Sequence, residues 1–348
     1  MPSAPAGAAR LRSVPPPPTT PARLPTATPP ALAEAPVLAH VTRGGVVESV
    51  HRGSIAVTEG DGTLRHGWGA PDDPVFPRSS NKPLQAVGML RAGLRLPPDQ
   101  LALACASHSA EPFHLQGVRD MLAAASLSEA DLQNTPDLPY DPDERDVWVA
   151  AGRTARPLAQ NCSGKHAAML VTCRVNGWDL STYREDDHPL QRLIAETVAD
   201  LAGEPVAATA VDGCGAPVVA ISLTGLARAF GRIATAEPGT SEAQVTAAIR
   251  SHPEHLGGTR RDVTALVRGT EGLIAKDGAE GVHAVGLADG RGVALKIADG
   301  SQRARPVLLA AVLRHLGVVS DAYERLEEAP VLGHGAPVGR IVAVGITP

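Results

Sequence analysis

Hydrophobic and polar positions along this chain follow two different periods, and the changes between them outline its elements. Val46-Val47-Glu48-Ser49-Val50-His51 and Ser54-Ile55-Ala56-Val57-Thr58 read as strands. Gly60-Asp61-Gly62 supplies a hairpin turn, and Thr63 to Trp68 reads as the returning strand. After a Pro-rich loop from Pro71 to Pro77 the period lengthens. Leu84, Val87, Leu90 and Leu94 recur at helical spacing, and Pro83 falls in a first turn, where a missing N–H does no harm. Leu101 to Ala106 is uniformly apolar and predicts a fully buried segment. Helices are expected from about Pro112 to Ala125, Ala167 to Val175, Pro189 to Leu201, Glu242 to His252, Asp262 to Arg268 and Pro306 to Leu316. The Pro- and Asp-rich stretch 134–160 reads as loop. Val282 to Ala288 and Gly292 to Ala298 flank the turn Asp289-Gly290-Arg291 and predict a hairpin. Arg340 to Gly345 reads as a last strand. Strands at both ends with helices between predict an α/β or α+β protein, a mixed sheet in which the terminal strands pair beside a helical region.

Composition narrows this picture. The chain has 348 residues, of which 43% are hydrophobic but only 3% aromatic, so the core must be mostly Ala, Val and Leu. A formal charge of -5 with no basic run argues against nucleic acid and against an anionic membrane surface. No apolar run reaches membrane-spanning length, and the first residues lack the apolar segment of a secretory signal. Residues 1–34, rich in Pro, Ala and Thr, read as a disordered tail, and 35–348 as one folded domain. Four cysteines without a C-x-x-C pair exclude a zinc ribbon, and a cytoplasmic protein with reduced thiols is expected.

The candidate chemistry centres on Arg78-Ser79-Ser80-Asn81-Lys82-Pro83. Ser79 and Lys82 are three apart at an expected helix start, so they share a face, and a hydroxyl nucleophile would have an amine base beside it. Ser80 is two residues from Lys82 and falls on another face. Either serine is placed to cap the helix. The quartet alone is a weak signal, because a capped helix with a surface lysine carries the same letters. Lys82 can act as a base only if its pKa, about 10.4 unperturbed, is lowered by burial or by a second cation. Arg78 is placed to bind a carboxylate in two-pronged fashion or to make a surface ion pair. Cys162 and Lys165 in Asn161-Cys162-Ser163-Gly164-Lys165-His166 are also three apart. Read from the residues alone, Cys162 and Cys214 are equally buried structural thiols, while Cys105 and Cys173 lie in apolar runs and read as core.

Taken together, Arg78 to Pro83, Cys105-Ala106-Ser107-His108-Ser109-Ala110-Glu111, Asn161 to His166, Asp212-Gly213-Cys214 and Lys276-Asp277-Gly278 resemble, in that order, the L-asparaginase II family, the rhizobial-type or class 3 asparaginases. The resemblance runs from about Val41 to the C-terminus. It implies a fold similar to serine β-lactamases and penicillin-binding proteins, and hydrolysis of L-asparagine to L-aspartate and ammonia by a homodimer. It also implies two serine–lysine pairs, Ser79 with Lys82 and Ser107 with Lys276, and zinc ligands at Cys162, Lys165 and Cys214. His166 and Asp212 would then orient ligands or touch substrate, with Arg78 on the substrate carboxylate. Asp277 follows Lys276 where β-lactamase relatives carry a hydroxyl residue, a departure from their K-T-G element. Two other readings compete. In one, zinc activates water and the serines only bind; in the other, the chain is an amide sensor without chemistry.

Overall fold

The computed structural model describes residues 30–346. The expected tail therefore lies outside the described residues except for its end, where Pro30–Ala33 forms one helical turn, α1. The helices that follow are α2 Lys82–Arg91, α3 Pro98–Ala104, α4 Pro112–Ala124, α5 Pro142–Ala150, α6 Ser163–Asn176, α7 Pro189–Ala202, α8 Leu223–Ala234, α9 Ser241–Ser251, α10 Pro253–Leu256, α11 Asp262–Gly269, α12 Arg305–His315 and α13 Tyr323–Glu327. The strands are β1 Val37–Arg43, β2 Val46–Thr58, β3 Leu64–Trp68, β4 Pro74–Val75, β5 Ala208–Val211, β6 Pro217–Ser222, β7 Ile274–Gly278, β8 Val282–Gly286, β9 Gly292–Ile297, β10 Pro330–Gly333 and β11 Ala336–Ala343.

Eight of these strands form one sheet in the order β10-β11-β1-β2-β9-β8-β7, with β3 also paired to β2. Every pairing in it is antiparallel. The first and last strands are joined, Ala39 opposite Ala343 and Val41 opposite Ile341, so the ends of the chain close one sheet as the strand pattern implied. A smaller sheet, β4-β6-β5, stands apart from it. The fold is mixed α/β, with the helical region inserted between β3 and β7.

Strand alternation assigns the two faces of the sheet. A Cβ on Gly286 would meet the Phe230 carbonyl, and one on Gly292 the Ala227 carbonyl, so that face lies directly against α8. His283, one residue along from Ala284, points instead toward Arg305 at the start of α12, on the other face. The close approach of α8 depends on glycine at both strand positions and on Gly231 in the helix, whose own Cβ would meet the Gly290 carbonyl. Phe230, fully buried there, contributes roughly 2–3 kcal/mol of burial.

Two segments differ from the sequence reading. The stretch 134–160 is not all loop: Asp141 accepts hydrogen bonds from the Asp143 and Glu144 amides and caps α5. The β6–α8 unit was not foreseen; in it Gly225 and Gly231 are contact points, a Cβ on the first meeting the Glu204 carboxylate and one on the second the Gly290 carbonyl. Ser222, whose Oγ accepts from the Gly225 amide, marks the start of α8. Among the described residues no helix is long and apolar enough to cross a membrane.

Substituting Gly292→Ala is expected to lower stability by about 2–3 kcal/mol through overpacking against α8. Thermal unfolding followed by circular dichroism would show a fall of several degrees in Tm. An unchanged Tm would mean that α8 does not sit on β9 as closely as described.

Candidate functional site

The site is built around the 3-10 turn Arg78–Asn81, which leads directly into α2. Pro77 precedes the turn, and Ser80 folds back on it, donating from Oγ to the Pro77 carbonyl at 2.7 Å. Neither Ser79 nor Ser80 caps the helix as expected, since Ser80 is spent on the turn and the Asn81 cap makes no side-chain bond. Arg78 sits in the left-handed region at φ 52°, an uncommon place for an arginine and a store of local strain. Its Nε donates to Asp212 Oδ1 at 2.7 Å, an anchor that offsets part of that cost.

Lys82 follows the turn and points inward. It is 1% exposed. Its Nζ donates to the Ala106 carbonyl at 2.5 Å and lies 3.1 Å from both Ser107 Oγ and Cys162 Sγ. The structure thus joins Lys82 to Ser107 rather than directly to Ser79. Ser79 is half-buried, its carbonyl accepts from the Lys82 amide one turn on, and its hydroxyl has no hydrogen bond among the described residues. Ser107 follows α3 in an irregular, buried segment. Its amide donates to the Leu256 carbonyl at 3.1 Å, and the nearby Ala110 has φ 65°.

Lys276 comes from the buried strand β7. It shares a strand face with Gly278, whose Cβ would meet the Pro77 carbonyl and the Ser80 amide at 2.6 and 3.1 Å, so this face lies against the 3-10 turn. Lys276 is fully buried and donates to the Asp277 carbonyl at 2.7 Å and to Asp277 Oδ1 at 2.5 Å. Burial lowers the Lys276 pKa to about 8, with the Lys82 charge pushing the same way and Asp277 opposing. Burial disfavours a charged Asp277, but Lys276, Arg261 and Arg305 outweigh it and hold this carboxylate well below its usual range. Arg261 binds Asp277 Oδ2 at 2.5 Å, reaches the Ser107 carbonyl at 3.3 Å and lies 4.6 Å from the Tyr140 ring centroid. It therefore ties the Ser107 segment to the strand that carries Lys276.

A sulfur- and nitrogen-lined cluster adjoins this. Cys162, at the cap of α6, and Cys214, in the β5–β6 turn, pack together with Ala216, and Lys165 Nζ lies 3.2 Å from Cys214 Sγ. Cys162 Sγ donates to Asn161 Oδ1 at 3.1 Å. The neighbouring Cys214 thiol, with burial, pushes Cys162 up to about 12. The neighbouring Cys162 thiol and the Lys165 charge lower Cys214 to about 4 against burial. Two thiol sulfurs and an amine converging in a buried spot suit a borderline-soft divalent ion such as zinc, once Cys162 and Lys165 lose their protons. His166 lies beside them, its Nδ1 2.7 Å from the Tyr183 hydroxyl and its Nε2 buried without a partner among the described residues. Burial, then the Lys165 charge, pushes His166 well below its ordinary pKa. Burial raises Asp212, but Lys165 and Arg78 lower it further than burial raises it.

The sequence reading named Arg78, Ser79, Lys82, Ser107, Cys162, Lys165, His166, Asp212, Cys214 and Lys276. The contacts fall into three groups: Lys82 with Ser107 and Cys162, Lys165 with Cys214, and Arg78 with Asp212. Arg261, Tyr183 and the Ser163–His108 pair, 2.7 Å apart, were missed. One signal in the sequence was overlooked. Only four of the 32 basic residues are lysines, Lys82, Lys165, Lys276 and Lys296. The first three are each at most 1% exposed. Three of the four lysines are thus interior, and burial lowers the pKa of one of them, Lys276, while the Cys214, Cys162 and Asp212 charges raise that of Lys165 against burial.

A family model described as L-asparaginase II matches residues 39–343. No curated protein matches the chain. Among solved structures, a β-lactamase from Mycobacterium bovis is 13% identical over 82% of this chain and 97% of its own, with a TM-score of 0.45. A β-lactamase-type protein from Bacteroides dorei is 13% identical over 75% of this chain and 93% of its own, with a TM-score of 0.42.

Zinc binding at Cys162, Lys165 and Cys214 is expected to release about two protons, one each from Cys162 and Lys165, so affinity falls as pH is lowered. Calorimetry in buffers of different ionisation heat counts them. Zinc binding without proton release would rule out this donor set.

Proposed function

This chain belongs to the L-asparaginase II family, and from that premise we propose that it hydrolyses the side-chain amide of L-asparagine to L-aspartate and ammonia. The family is one of asparaginase-type amidohydrolases, and the observation that carries the finer reading is the burial of Lys82 and Lys276 behind the turn that bears Ser79. Amide hydrolysis needs a nucleophile, a base that can work near neutral pH and a proton for the leaving amine. In this reading Ser79 Oγ bonds to the side-chain carbonyl carbon at the positive end of α2. Its proton passes to the amine of Lys82, one turn along. The C–N bond then breaks, and that proton leaves with ammonia. Water repeats the sequence on the aspartyl ester and releases Ser79. Before ammonia takes that proton, Ser107, in contact with Lys82, shuttles it between Lys82 and Lys276, whose burial favours the neutral amine.

Arg78 and Asp212, paired in this structure, suit the α-carboxylate and α-ammonium of a free amino acid. His166 Nε2 offers a further hydrogen bond to substrate. Zinc, when held by Cys162, Lys165 and Cys214, supplies a fixed positive charge beside the substrate. Its place in the proposal is supportive, so turnover does not depend on it absolutely. A homodimer follows the family resemblance, and the four free thiols suit a reducing, cytoplasmic setting.

A second reading rests on one distance. Lys82 Nζ is 3.1 Å from Ser107 Oγ, so Ser107 is the serine already paired with a base. Trapping the aspartyl ester with L-asparagine at low pH and mapping it by peptide mass spectrometry places it on Ser79 or on Ser107.

Ammonia release is expected to fall roughly a thousandfold in Ser79→Ala and in Lys276→Ala, with or without zinc, while both variants keep their circular dichroism. Retained turnover in Ser79→Ala that vanishes on chelation would favour a zinc-centred reaction. Below a Lys276 pKa of about 8 the neutral amine falls tenfold per pH unit. Activity is therefore expected to rise with pH up to about 8 and then level. Asp277→Asn removes the charge that stabilises the protonated amine, so this rise should move to lower pH. A pH–rate profile unchanged by Asp277→Asn would exclude Lys276 as the titrating group.

A further inference from the structure

On the α12 side of the sheet lies a cleft of about 830 Å³, bounded by the starts of α11 and α12, by α13 and by β10. Six guanidinium groups line it: Arg43, Arg260, Arg261, Arg303, Arg305 and Arg325. Only two carboxylates, Asp262 and Glu328, line it with them. In a chain whose net charge is -5 this is a marked local reversal of sign. Arginine keeps its charge at any physiological pH, so the excess cannot be relieved by losing protons.

The partners of these arginines are unequal. Arg260 pairs with Asp141 at 2.6 Å and also with Glu144 at 3.4 Å and Asp143 at 3.5 Å, Arg261 pairs with Asp277 at 2.5 Å, and Arg305 with Asp262 at 2.8 Å. Arg43 pairs with Glu48 at 2.8 Å, both well exposed and therefore screened. Arg303 has no carboxylate within salt-bridge distance among the described residues. It donates to His51 Nε2 at 2.8 Å and to Ser49 Oγ at 3.1 Å. Arg325 likewise has no described carboxylate partner, and its side chain bonds only the Arg260 carbonyl. Arg305 is 5% exposed, yet among the described residues its Nε has no hydrogen-bond partner. A buried guanidinium N–H left unpaired is costly unless something polar comes to it.

We propose that this cleft binds a small polyanion of the di- or triphosphate class. Planar forks that offer paired N–H groups match phosphate oxygens in bidentate fashion. The starts of α11 and α12 add the positive ends of two helices. The volume is several times what one orthophosphate fills, and the two arginines without carboxylate partners lie on different elements, so several linked anionic groups fit better than one.

The cleft also touches the catalytic strand. Arg261 and Arg305 line it and also flank Asp277, the partner of Lys276. An anion that draws on them leaves Asp277 to act more strongly on Lys276. The other ionisable groups facing Lys276 are Lys82, Arg261, Cys105 and His283. Bound polyanion should therefore favour protonated Lys276 and move ammonia release toward higher pH. This coupling, unlike the binding, rests on the asparaginase reading.

The test is calorimetry on the metal-free protein with sodium tripolyphosphate, pyrophosphate and orthophosphate. Saturable binding of tripolyphosphate is expected, at least tenfold tighter than orthophosphate. It should weaken tenfold or more in the double variant Arg303→Ala with Arg325→Ala and stay unchanged in the distant surface variant Arg192→Ala. No saturable binding up to millimolar ligand, equal affinity for orthophosphate, or an equal loss in Arg192→Ala would overturn the proposal. A duplex oligonucleotide that displaces tripolyphosphate at lower concentration would overturn the small-ligand class. The pH–rate profile with L-asparagine should move upward with tripolyphosphate in the wild type but not in the double variant, which separates coupling from metal removal. Binding without that shift overturns the coupling. Binding without any ammonia release refutes the asparaginase reading and leaves the cleft standing.

Discussion

Three ammonium-type side chains, Lys82, Lys165 and Lys276, are sealed inside this protein within one region, and everything around them answers the cost of doing so. A buried amine is unstable as a cation unless paired, and paired too well it cannot give up its proton. Each of the three resolves the conflict differently. Lys165 has the Cys214 sulfur beside it, Lys276 has a carboxylate that is itself shared with two arginines, and Lys82 has only a carbonyl, a hydroxyl and a sulfur. For Lys276 burial matters most, and the sharing of Asp277 with Arg261 and Arg305 limits how far that carboxylate opposes it.

The fold serves this arrangement by bringing distant parts of the chain onto one face of one sheet. The 3-10 turn rests against Gly278, and the Ser107 segment is tied across by Arg261. Strand alternation lets one hairpin carry both halves of the electrostatics. Lys276 faces the turn, while its neighbour Asp277 stands directly opposite His283 and beside Arg305 on the α12 side. On the first of these faces, glycines in β8 and β9 let α8 lie close over the strands.

The division between arginine and lysine runs through the whole molecule. Arginine supplies nearly all of the surface cations, including those of the cleft outside α12, and three of the four lysines are interior. A site reached through Asp277 would let an anion outside the catalytic face alter the amine inside it without touching substrate.

Much of this was legible along the chain. The alternating strands at both ends and the proline-led helix α2 follow from local chemistry, because period and turn residues act over a few positions. So did the joining of the first and last strands, as two half-buried edges that needed partners. Other features depend on contacts between residues far apart in sequence. That Lys82 meets Ser107 rather than Ser79, that Gly225 and Gly231 belong inside a helix, and that Arg261 bridges Ser107 to Asp277 are set by how β7, α8 and the start of α11 pack together. Local pattern can place an amine on a helix face. Only the packed interior decides which hydroxyl it meets, how dry its surroundings are and which other charges compete for its partner.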